Sequence, residues 1–331
     1  MIRLEDVARA AGVSKSTASR ALSRPDLVAA GTREKVQRLA AEMGLSLNPA
    51  ARALFTGRTG TVAMVVPSLT NPYFGPILAG AQRELSASGG HALISSASDG
   101  DREVELAASL LGHADGVLLV TPRAPEERLR ELATRIPLAV IDRPVPELPA
   151  YVADTPRGVG LLAAHLLELG HRRIGYVGGP DGSSLDRLRI DAAQDRVRTA
   201  GGRLDVVGSE SPDLDTGLRL AAHWPFDDDV TAVVAYSSYI ALGLLIGLRE
   251  RGVEVPGRMS VAAVDHLAAV GGNGSGPLLT ALRVPLEELG RAAAAALVGS
   301  TPAPAEVTRI GTELLLGRST GAPAPRSPRG T

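Results

Sequence analysis

The stretch Leu4-Glu-Asp-Val-Ala-Arg-Ala-Ala-Gly-Val-Ser-Lys-Ser-Thr-Ala-Ser-Arg20 predicts two short helices joined by a tight turn. Its first apolar residues fall at the i, i+3, i+4 and i+7 positions of one helix face: Leu4, Val7, Ala8 and Ala11. Gly12 supplies the turn, and Ser14 is placed to cap the second helix. This pattern is typical of a helix-turn-helix, whose second helix enters the major groove of DNA.

The second predicted helix has an apolar side and a polar side. Its apolar residues face inward: Ala18, Ala21 and Leu22. The polar residues share the opposite face as two i,i+4 pairs: Lys15, Ser16, Ser19 and Arg20. Arg and Lys can donate to guanine O6 and N7, whereas a Ser hydroxyl is less selective. The alternative is a small helical domain whose polar face is merely solvated.

A third helix completes this predicted all-α head, and the head is basic. The apolar stripe of the third helix consists of Val36, Leu39, Ala40 and Met43, with Gly44 as its C-cap. Residues 1–58 contain ten Arg or Lys and five Asp or Glu, a net charge of +5. The whole chain carries −1, so the remainder carries −6. A basic head on an acidic body favours a polyanionic partner for the head.

Composition excludes several classes of protein. The 331 residues contain no cysteine, which rules out disulfides and thiolate metal sites. Apolar runs are shorter than the roughly 20 residues of a membrane helix, and acids stand where a signal peptide would be apolar, so we expect a cytoplasmic protein. The six histidines show no H-x-x-x-H pair, so no metal or other cofactor is expected. The one G-x-S-x-G match, Gly317 to Gly321, runs into a Pro-rich tail rather than a helix, so we predict no enzyme.

From Thr61 onward, apolar β-rich runs alternate with helical stretches. The predicted strands are Thr61–Pro67, His91–Ser95, Gly116–Val120, Leu138–Ile141, Ile174–Val177, Thr231–Ala235 and Met259–Val264. A helix is predicted over Arg102–Gly112, with Asp101 as its N-cap. Continuous apolar strands separated by helices indicate parallel sheets covered on both faces, and the length of this region predicts two Rossmann-like lobes. Residues 321–331 are rich in Pro, Arg and Ser and are predicted to be disordered.

The head resembles the lactose-repressor (LacI/GalR) family of bacterial transcriptional regulators. The resemblance rests on Leu4–Arg20, Thr32–Val36 and Asn48–Leu54. It implies a DNA-binding set of Ser14, Lys15, Ser16, Thr17, Ser19, Arg20, Asn48, Ala51 and Leu54, in which Lys15, Ser16 and Arg20 read bases. Residues 48–57 would form a hinge helix whose Leu54 opens a central base step in the minor groove, unless Leu54 simply packs on the core. Ala29 departs from the family's usual capping Ser before the third helix.

The body resembles the same family, whose core is periplasmic-binding-protein-like and holds its effector between the lobes. The matching segments are Asn71–Phe74, Asp115–Leu119, Ile141–Arg143, Leu169–Ile174, Gly178–Pro180, Pro277–Thr280 and Glu288–Arg291. The implied effector-binding residues are Asn71, Phe74, Arg189, Ser237 and Asp265. Arg189 has a surface ion pair as its alternative, Asp265 a capping or turn role, and Asn71 a turn role. An arginine fork and a carboxylate suit a ligand with hydroxyls.

Several positions depart from the family pattern in this body. Ser237-Ser238 replaces the usual Asn-Asp, and Pro212 replaces an aromatic residue that often stacks on the sugar ring. Ala192-Ala193 replaces a Gly-aromatic pair, and Asp154-Thr155 replaces Asp-Asn. The resemblance therefore implies a sugar or a derivative as effector, with an unusual ligand or no ligand as the alternative.

The sequence predicts a regulator with three parts: a DNA-binding domain with hinge at 1–58, a two-lobed effector-binding and dimerisation core at 59–320, and the tail at 321–331. We expect a repressor that binds double-stranded DNA at a palindromic operator as a homodimer and is controlled by a small polar effector. The alternatives are a cytoplasmic sugar-binding module with an incidental helical head and a regulator that has lost its effector.

Overall fold

The computed structural model describes residues 2–23, 27–45, 58–208, 211–226, 229–266, 276–299 and 303–324. Its head contains α1 (Leu4–Ala11), α2 (Lys15–Ser23) and α3 (Ala30–Glu42). The apolar residues predicted to face inward form one cluster, to which Val13, Val28 and Leu45 add. The turn at Gly12 has a φ of 70°, which glycine adopts without strain. The N–H of Thr17 donates to Ser14 Oγ at 3.0 Å, so the predicted cap of α2 is confirmed.

The body is built from two parallel sheets of alternating strands and helices. In chain order its strands are β1 (Thr61–Val66), β2 (His91–Ser96), β3 (Gly116–Val120), β4 (Leu138–Ile141), β5 (Ala150–Ala153), β6 (Arg173–Val177), β7 (Arg203–Val207), β8 (Ala232–Ala235), β9 (Ser260–Ala263), β10 (Thr280–Arg283), β11 (Val307–Ile310) and β12 (Glu313–Leu315). Within the described residues, the first sheet has the order β11-β5-β4-β3-β1-β2 and the second β12-β10-β9-β8-β6-β7. β12 is antiparallel to β10.

Helices cover the faces of each sheet. They are α4 (Phe74–Ala87), α5 (Gly100–Ser109), α6 (Glu126–Ala133), α7 (Thr155–Glu168), α8 (Ser184–Thr199), α9 (Leu214–Ala222), α10 (Ser238–Glu250) and α11 (Leu286–Val298). α4 and α11 pack with their backbones in contact on the first sheet: a Cβ on Gly80 would lie 2.0 Å from the carbonyl oxygen of Glu287. Glycine at this position therefore allows the two helices to approach so closely.

The chain passes between the lobes near Asp154, Val284 and Gly311, because α11 and β11 return to the first lobe and β12 then joins the second. Two of these crossings are hydrogen-bonded to one another. The N–H of Asp154 donates to the carbonyl of Ile310 at 2.8 Å, and Thr312 Oγ1 donates to the carbonyl of Asp154 at 3.2 Å. The lobes are thus joined by adjacent segments, an arrangement that permits hinge motion between them.

The predicted all-α head and two-lobed α/β core are both present, with some corrections. All seven predicted strands form, but the sequence analysis missed β5, β7, β10, β11 and β12. Asp101 is not the N-cap of α5; that residue is Asp99, whose side chain accepts from the N–H of Arg102 at 2.8 Å. Along the described part of the chain, no helix has both the length and the apolar character that a membrane crossing requires.

The predicted start of the disordered tail, residue 321, lies too early in the chain. The N–H of Gly321 donates to Ser260 Oγ at 3.0 Å, and the carbonyl of Gly321 accepts from His171 Nε2 at 2.9 Å. His171 is 1% exposed, and its other ring nitrogen lies 2.8 Å from Thr231 Oγ1. Gly321 is therefore held to the second lobe by a buried side chain. Residues 325–331 lie outside the described residues.

Candidate functional site

The exposed face of α2 carries the predicted base-reading side chains. Lys15, Ser16 and Arg20 are all exposed. Lys15 Nζ donates to Glu5 Oε1 at 2.6 Å, and this hydrogen bond lowers the pKa of Glu5. Both partners are more than half exposed, and such surface pairs contribute little, so Lys15 can exchange Glu5 for another acceptor. The face is therefore polar and accessible.

The other predicted DNA-binding residues have different environments. Ser14 Oγ caps α2 and lies 2.8 Å from Thr17 Oγ1, so these two side chains hold the start of the helix. Ser19 is half-buried. The predicted hinge residues Asn48, Ala51 and Leu54 lie outside the described residues.

A cavity of about 920 Å³ lies between the two lobes, at the carboxyl ends of their strands. The five predicted effector-binding residues all line it: Asn71, Phe74, Arg189, Ser237 and Asp265. Ligands of α/β folds bind at this edge of the sheet, and cavities of this size hold small molecules. The structure therefore brings together residues that are far apart in the sequence.

Arg189 is buried at the wall of this cavity, with 4% of its surface exposed. Its Nε donates to Thr155 Oγ1 at 2.9 Å, and its guanidinium carbon lies 5.2 Å from the centre of the Tyr236 ring. This side chain is buried and does not lie on the surface, so the alternative of a surface ion pair is wrong. A buried guanidinium held by a hydroxyl and an aromatic ring is fixed in position and keeps donors for a ligand.

Asp265 lies at the cavity wall, beside the start of α10. Its Oδ1 accepts from the N–H of Ser238 at 2.6 Å, and its Oδ2 accepts from Ser238 Oγ at 3.1 Å. Burial raises the pKa of Asp265. The predicted capping role is thus real, and each carboxylate oxygen still has a lone pair for a ligand. Ser238 is fully buried and positions this carboxylate.

Asp142 is a cavity residue that the sequence analysis did not single out. It is 2% exposed, accepts from the hydroxyl of Tyr73 at 2.8 Å and from the N–H of Ala153 at 3.0 Å, and has a φ of 56°. Burial raises its pKa, while the charge of Arg189 opposes this shift. A left-handed backbone at a buried carboxylate is a combination found at functional sites, and it makes Asp142 a candidate site residue. The available signal was its place directly after an apolar strand.

The cavity thus holds one buried cation, Arg189, together with a buried carboxylate, Asp142, and a half-buried one, Asp265. Asp142 belongs to the first lobe, whereas Arg189 and Asp265 belong to the second. The positive charge of Arg189 lowers the pKa of both acids, but burial has the larger effect and raises it. Opposite charges on facing lobes are an arrangement that a polar ligand can bridge. Tyr236, which directly follows β8, was also missed and adds an aromatic wall that Pro212 does not supply.

Three predicted cleft residues have structural tasks as well. Ser237 Oγ accepts from the N–H of Ile240 at 3.3 Å and donates to the carbonyl of Pro212 at 3.3 Å, so it caps α10. Asn71 Oδ1 accepts from the N–H of Tyr73 at 3.0 Å, as the alternative turn role requires. Phe74 is 7% exposed and belongs mainly to the apolar core of the first lobe.

Comparison with known proteins agrees with both parts of the molecule. Residues 3–48 match the family model described as bacterial regulatory proteins, lacI family, and residues 163–320 match a periplasmic binding protein-like domain. The HTH-type transcriptional regulator DegA of Bacillus subtilis is 30% identical over 297 residues, which cover 86% of this chain and 87% of that protein. The chain belongs to the LacI family. The regulator CelR of Thermobifida fusca is 32% identical over 309 residues, 89% of this chain and 90% of CelR.

Solved structures of LacI-family proteins share the whole fold. The complex of CelR with cellobiose has a TM-score of 0.67 and 28% identity, and covers 96% of this chain and 100% of CelR. The lac repressor dimer bound to operator and an anti-inducer has a TM-score of 0.79 over 97% of this chain and 99% of its own, at 21% identity. This LacI-family protein is a DNA-binding transcriptional regulator and not an enzyme.

Proposed function

We propose that this LacI-family protein represses transcription as a homodimer on a palindromic operator, and that a hydroxyl-bearing small molecule in the interlobe cavity controls its DNA binding. The observation that carries the proposal is the buried Arg189 at the cavity wall. Burying a charge is costly unless partners compensate it. The charge of Arg189 acts on a carboxylate of each lobe, Asp142 and Asp265. We place the protein in the cytoplasm, where the chromosome of a bacterium lies.

The head supplies the operator contacts. Lys15 and Ser16 lie at the N-terminal end of α2, from which recognition helices reach base edges, and Arg20 is one turn further on. We assign base reading to these three residues, and phosphate or positioning contacts to Ser14, Thr17 and Ser19. Asn48, Ala51 and Leu54 remain a prediction for the minor groove.

A homodimer is favoured because one head reads one half-site. The first lobe has a surface suited to a second copy. Its edge strand β2 exposes two large aliphatic side chains in succession, Leu93 and Ile94, at 40% and 41%. Edge strands with exposed aliphatic residues invite pairing, and proteins normally protect them. A second copy of the chain would cover this strand.

A sugar or a glycoside is the proposed effector. Carboxylates accept from neighbouring hydroxyls while an arginine donates, and Tyr236 adds apolar surface to the cavity wall. CelR, a relative at 32% identity, was solved with cellobiose. The cavity of about 920 Å³ is large enough for a disaccharide. The charged groups of Arg189, Asp142 and Asp265 at the cavity disfavour the alternative of a regulator that has lost its effector.

Two measurements on the full chain test the proposal. Selection of DNA from a random pool should return a palindrome, and light scattering should give the mass of a dimer on it. A thermal-shift screen of sugars that includes cellobiose, sugar phosphates and nucleosides should then identify a ligand that changes operator affinity. Selection of non-palindromic DNA by a monomer would contradict the operator proposal. Normal operator binding with no ligand in a broad screen would support the lost-effector alternative.

A further inference from the structure

One partly buried carboxylate, that of Asp115, holds the point where the chain enters the first lobe. Asp115 Oδ1 accepts from the N–H of Thr59 at 2.6 Å and from Thr59 Oγ1 at 2.9 Å, and its Oδ2 accepts from the N–H of Gly60 at 2.8 Å. Arg58 Nε lies 3.7 Å from Oδ2, and the Asp115 side chain is 12% exposed. Three hydrogen bonds and an ion pair on one carboxylate fix residues 58–60 relative to the lobe.

The same entry point has a second attachment. Arg58 Nη2 donates to the carbonyl of Leu297 at 3.4 Å, near the C-terminal end of α11. A cation at this end of a helix is favoured by the helix dipole. Arg58 therefore contacts two separate elements of the first lobe. The single chain that joins the head to the core passes through Arg58.

The position of Asp115 in the fold connects this entry point to the cavity. Asp115 directly precedes β3, and Thr121, which directly follows β3, lines the cavity. A strand of this length spans roughly 20 Å between the two residues. β3 lies inside the first sheet between β1 and β4, so it moves with the lobe as a rigid element. One strand thus has the cavity at one end and the entry point at the other.

The cavity end of β3 is also firmly held. Glu103 is 2% exposed and accepts from the N–H groups of Arg123 at 2.7 Å and Ala124 at 3.2 Å, in the loop after β3. Arg143 Nη1 donates to the carbonyls of Pro122 at 2.8 Å and Ala124 at 2.6 Å. A displacement at the cavity is therefore passed to the lobe as a whole rather than absorbed in a loose loop.

We propose that Asp115 is a positioning residue for DNA binding: it fixes where each head leaves the core, so that the orientation of the two first lobes sets the spacing of the two heads. This inference rests on the proposed binding of a palindrome by a dimer. Without the Asp115 contacts, residues 58–60 would no longer be held to the first lobe by this carboxylate. Each head would still bind its half-site, but the dimer would tolerate other half-site spacings.

The test compares operators of different spacing on the full-length protein. The probes are the palindrome selected by the parent, the same palindrome with one central base pair added or removed, and a single half-site. The variants are Asp115→Ala, Asp115→Asn and Thr59→Val, which remove progressively fewer of the contacts. Asp99→Ala is the matched control, because it removes a carboxylate that accepts a backbone N–H on the same lobe but away from the entry point.

We expect the parent to prefer its own spacing, and Asp115→Ala to reduce that preference by about tenfold, as the loss of charge-assisted hydrogen bonds predicts. Asp115→Asn should have a smaller effect and Thr59→Val the smallest, while half-site affinity stays within about twofold. A purely structural role would lower the melting temperature and leave the spacing preference intact. If Asp115→Ala does not fold, the two milder variants carry the measurement.

Three results would decide against the inference. Spacing preference that is unchanged in the folded Asp115 variants would overturn it and leave the proposed function standing. An equal loss in Asp99→Ala would show that general weakening of the lobe is the cause. Failure of the parent to select any palindrome would overturn the proposed function and this inference together.

Discussion

The head and the interlobe cavity place their functional residues in opposite ways. Lys15, Ser16 and Arg20 lie within two turns of one helix and are exposed. Asp142, Arg189 and Asp265 come from three distant segments; the first two are buried and Asp265 is half-buried. A site on one helix face is specified by local spacing, whereas a site between lobes depends on how strand ends are brought together. The two sites should therefore respond differently to salt concentration and to the substitution of single residues.

The largest expected difference between the two sites is in how strongly their ligand affinities depend on ionic strength. Operator affinity should fall by roughly 10³–10⁵ between about 50 and about 200 mM salt if about six to ten phosphates are contacted. Effector affinity should change by less than about threefold over the same range, because buried charges are poorly screened. Titrations of operator and of the effector found in the screen, each as a function of salt, measure both slopes. Equal slopes would break the distinction between an exposed and a buried site.

Removal of the buried guanidinium should have the next largest effect. Arg189→Ala should weaken effector binding by about 2–5 kcal/mol, roughly 30-fold or more, because buried partners lose a charged donor. Arg187→Ala is the matched control, since Arg187 lies on the same helix and lines the cavity but is exposed. Calorimetry with the effector, and operator binding without it, give the two readouts. A similar loss in both variants would mean that charge at the cavity mouth, rather than the buried fork, binds the ligand.

A substitution on the exposed helix face should alter base preference instead of the ligand. Arg20→Ala should cost about 1–3 kcal/mol per lost bidentate contact and relax specificity at one position in each half-site. Arg9 on α1 is 81% exposed and is the control, because its loss should weaken all sequences alike. Binding to a set of single-base operator variants measures this difference. Unchanged base preference in Arg20→Ala would remove Arg20 from the recognition set.

The hydroxyl that holds Arg189 should contribute less than Arg189 itself. Thr155→Val removes the acceptor of Arg189 Nε and should weaken effector binding by about 0.5–1.5 kcal/mol. Thr216→Val is matched to it, since Thr216 Oγ1 accepts from Arg219 at 3.1 Å and Thr216 does not line the cavity. Calorimetry should find the control unaffected. A loss in Thr216→Val of the same size would indicate a general effect on the second lobe.

The smallest expected effect is on the stability of the head, from a substitution that adds a side-chain cap to α3. Ala29 is the N-cap of α3 and offers no side-chain hydrogen bond, in line with its departure from the family pattern. Ala29→Ser should stabilise the head by about 1 kcal/mol. Hydrogen exchange of residues 30–42 measures it, with the exposed Ala41→Ser as control, since serine inside a helix adds no cap. Slower exchange in both variants would exclude capping as the cause.

The head could be predicted almost completely from the sequence. Its helices are short, and the stripes of apolar residues, the turn at Gly12 and the cap at Ser14 are all local signals. In the body, most of the buried central strands were predicted because they are continuous apolar runs, although the interior strands β5 and β10 were missed. β7 and β11 were missed because they are edge strands that expose or alternate polar residues, as in Arg203–Val207 and Val307–Ile310.

The cavity was only partly predictable. Arg189 and Asp265 were found through the family resemblance, not through a local pattern. Asp142 and Tyr236 each follow a buried strand directly, which is a weak signal shared by many turn residues. Their convergence depends on the order of strands in two sheets, and nothing in the local sequence states that order. Asp101 illustrates a smaller error: two acids near a helix start compete for the cap, and only backbone geometry selects Asp99.

The way the chain crosses between the lobes also determines the order in which the lobes can fold during synthesis. The whole second lobe apart from β12 lies between β5 and its neighbour β11 in the chain, and α11 reaches the first lobe only after β10. Until the second lobe has been synthesised, the first lobe therefore lacks β11 at its sheet edge and α11, the helix that packs on α4. Contacts so distant in sequence slow folding. A ribosome that stalls within the second lobe would release two incomplete lobes instead of one finished domain.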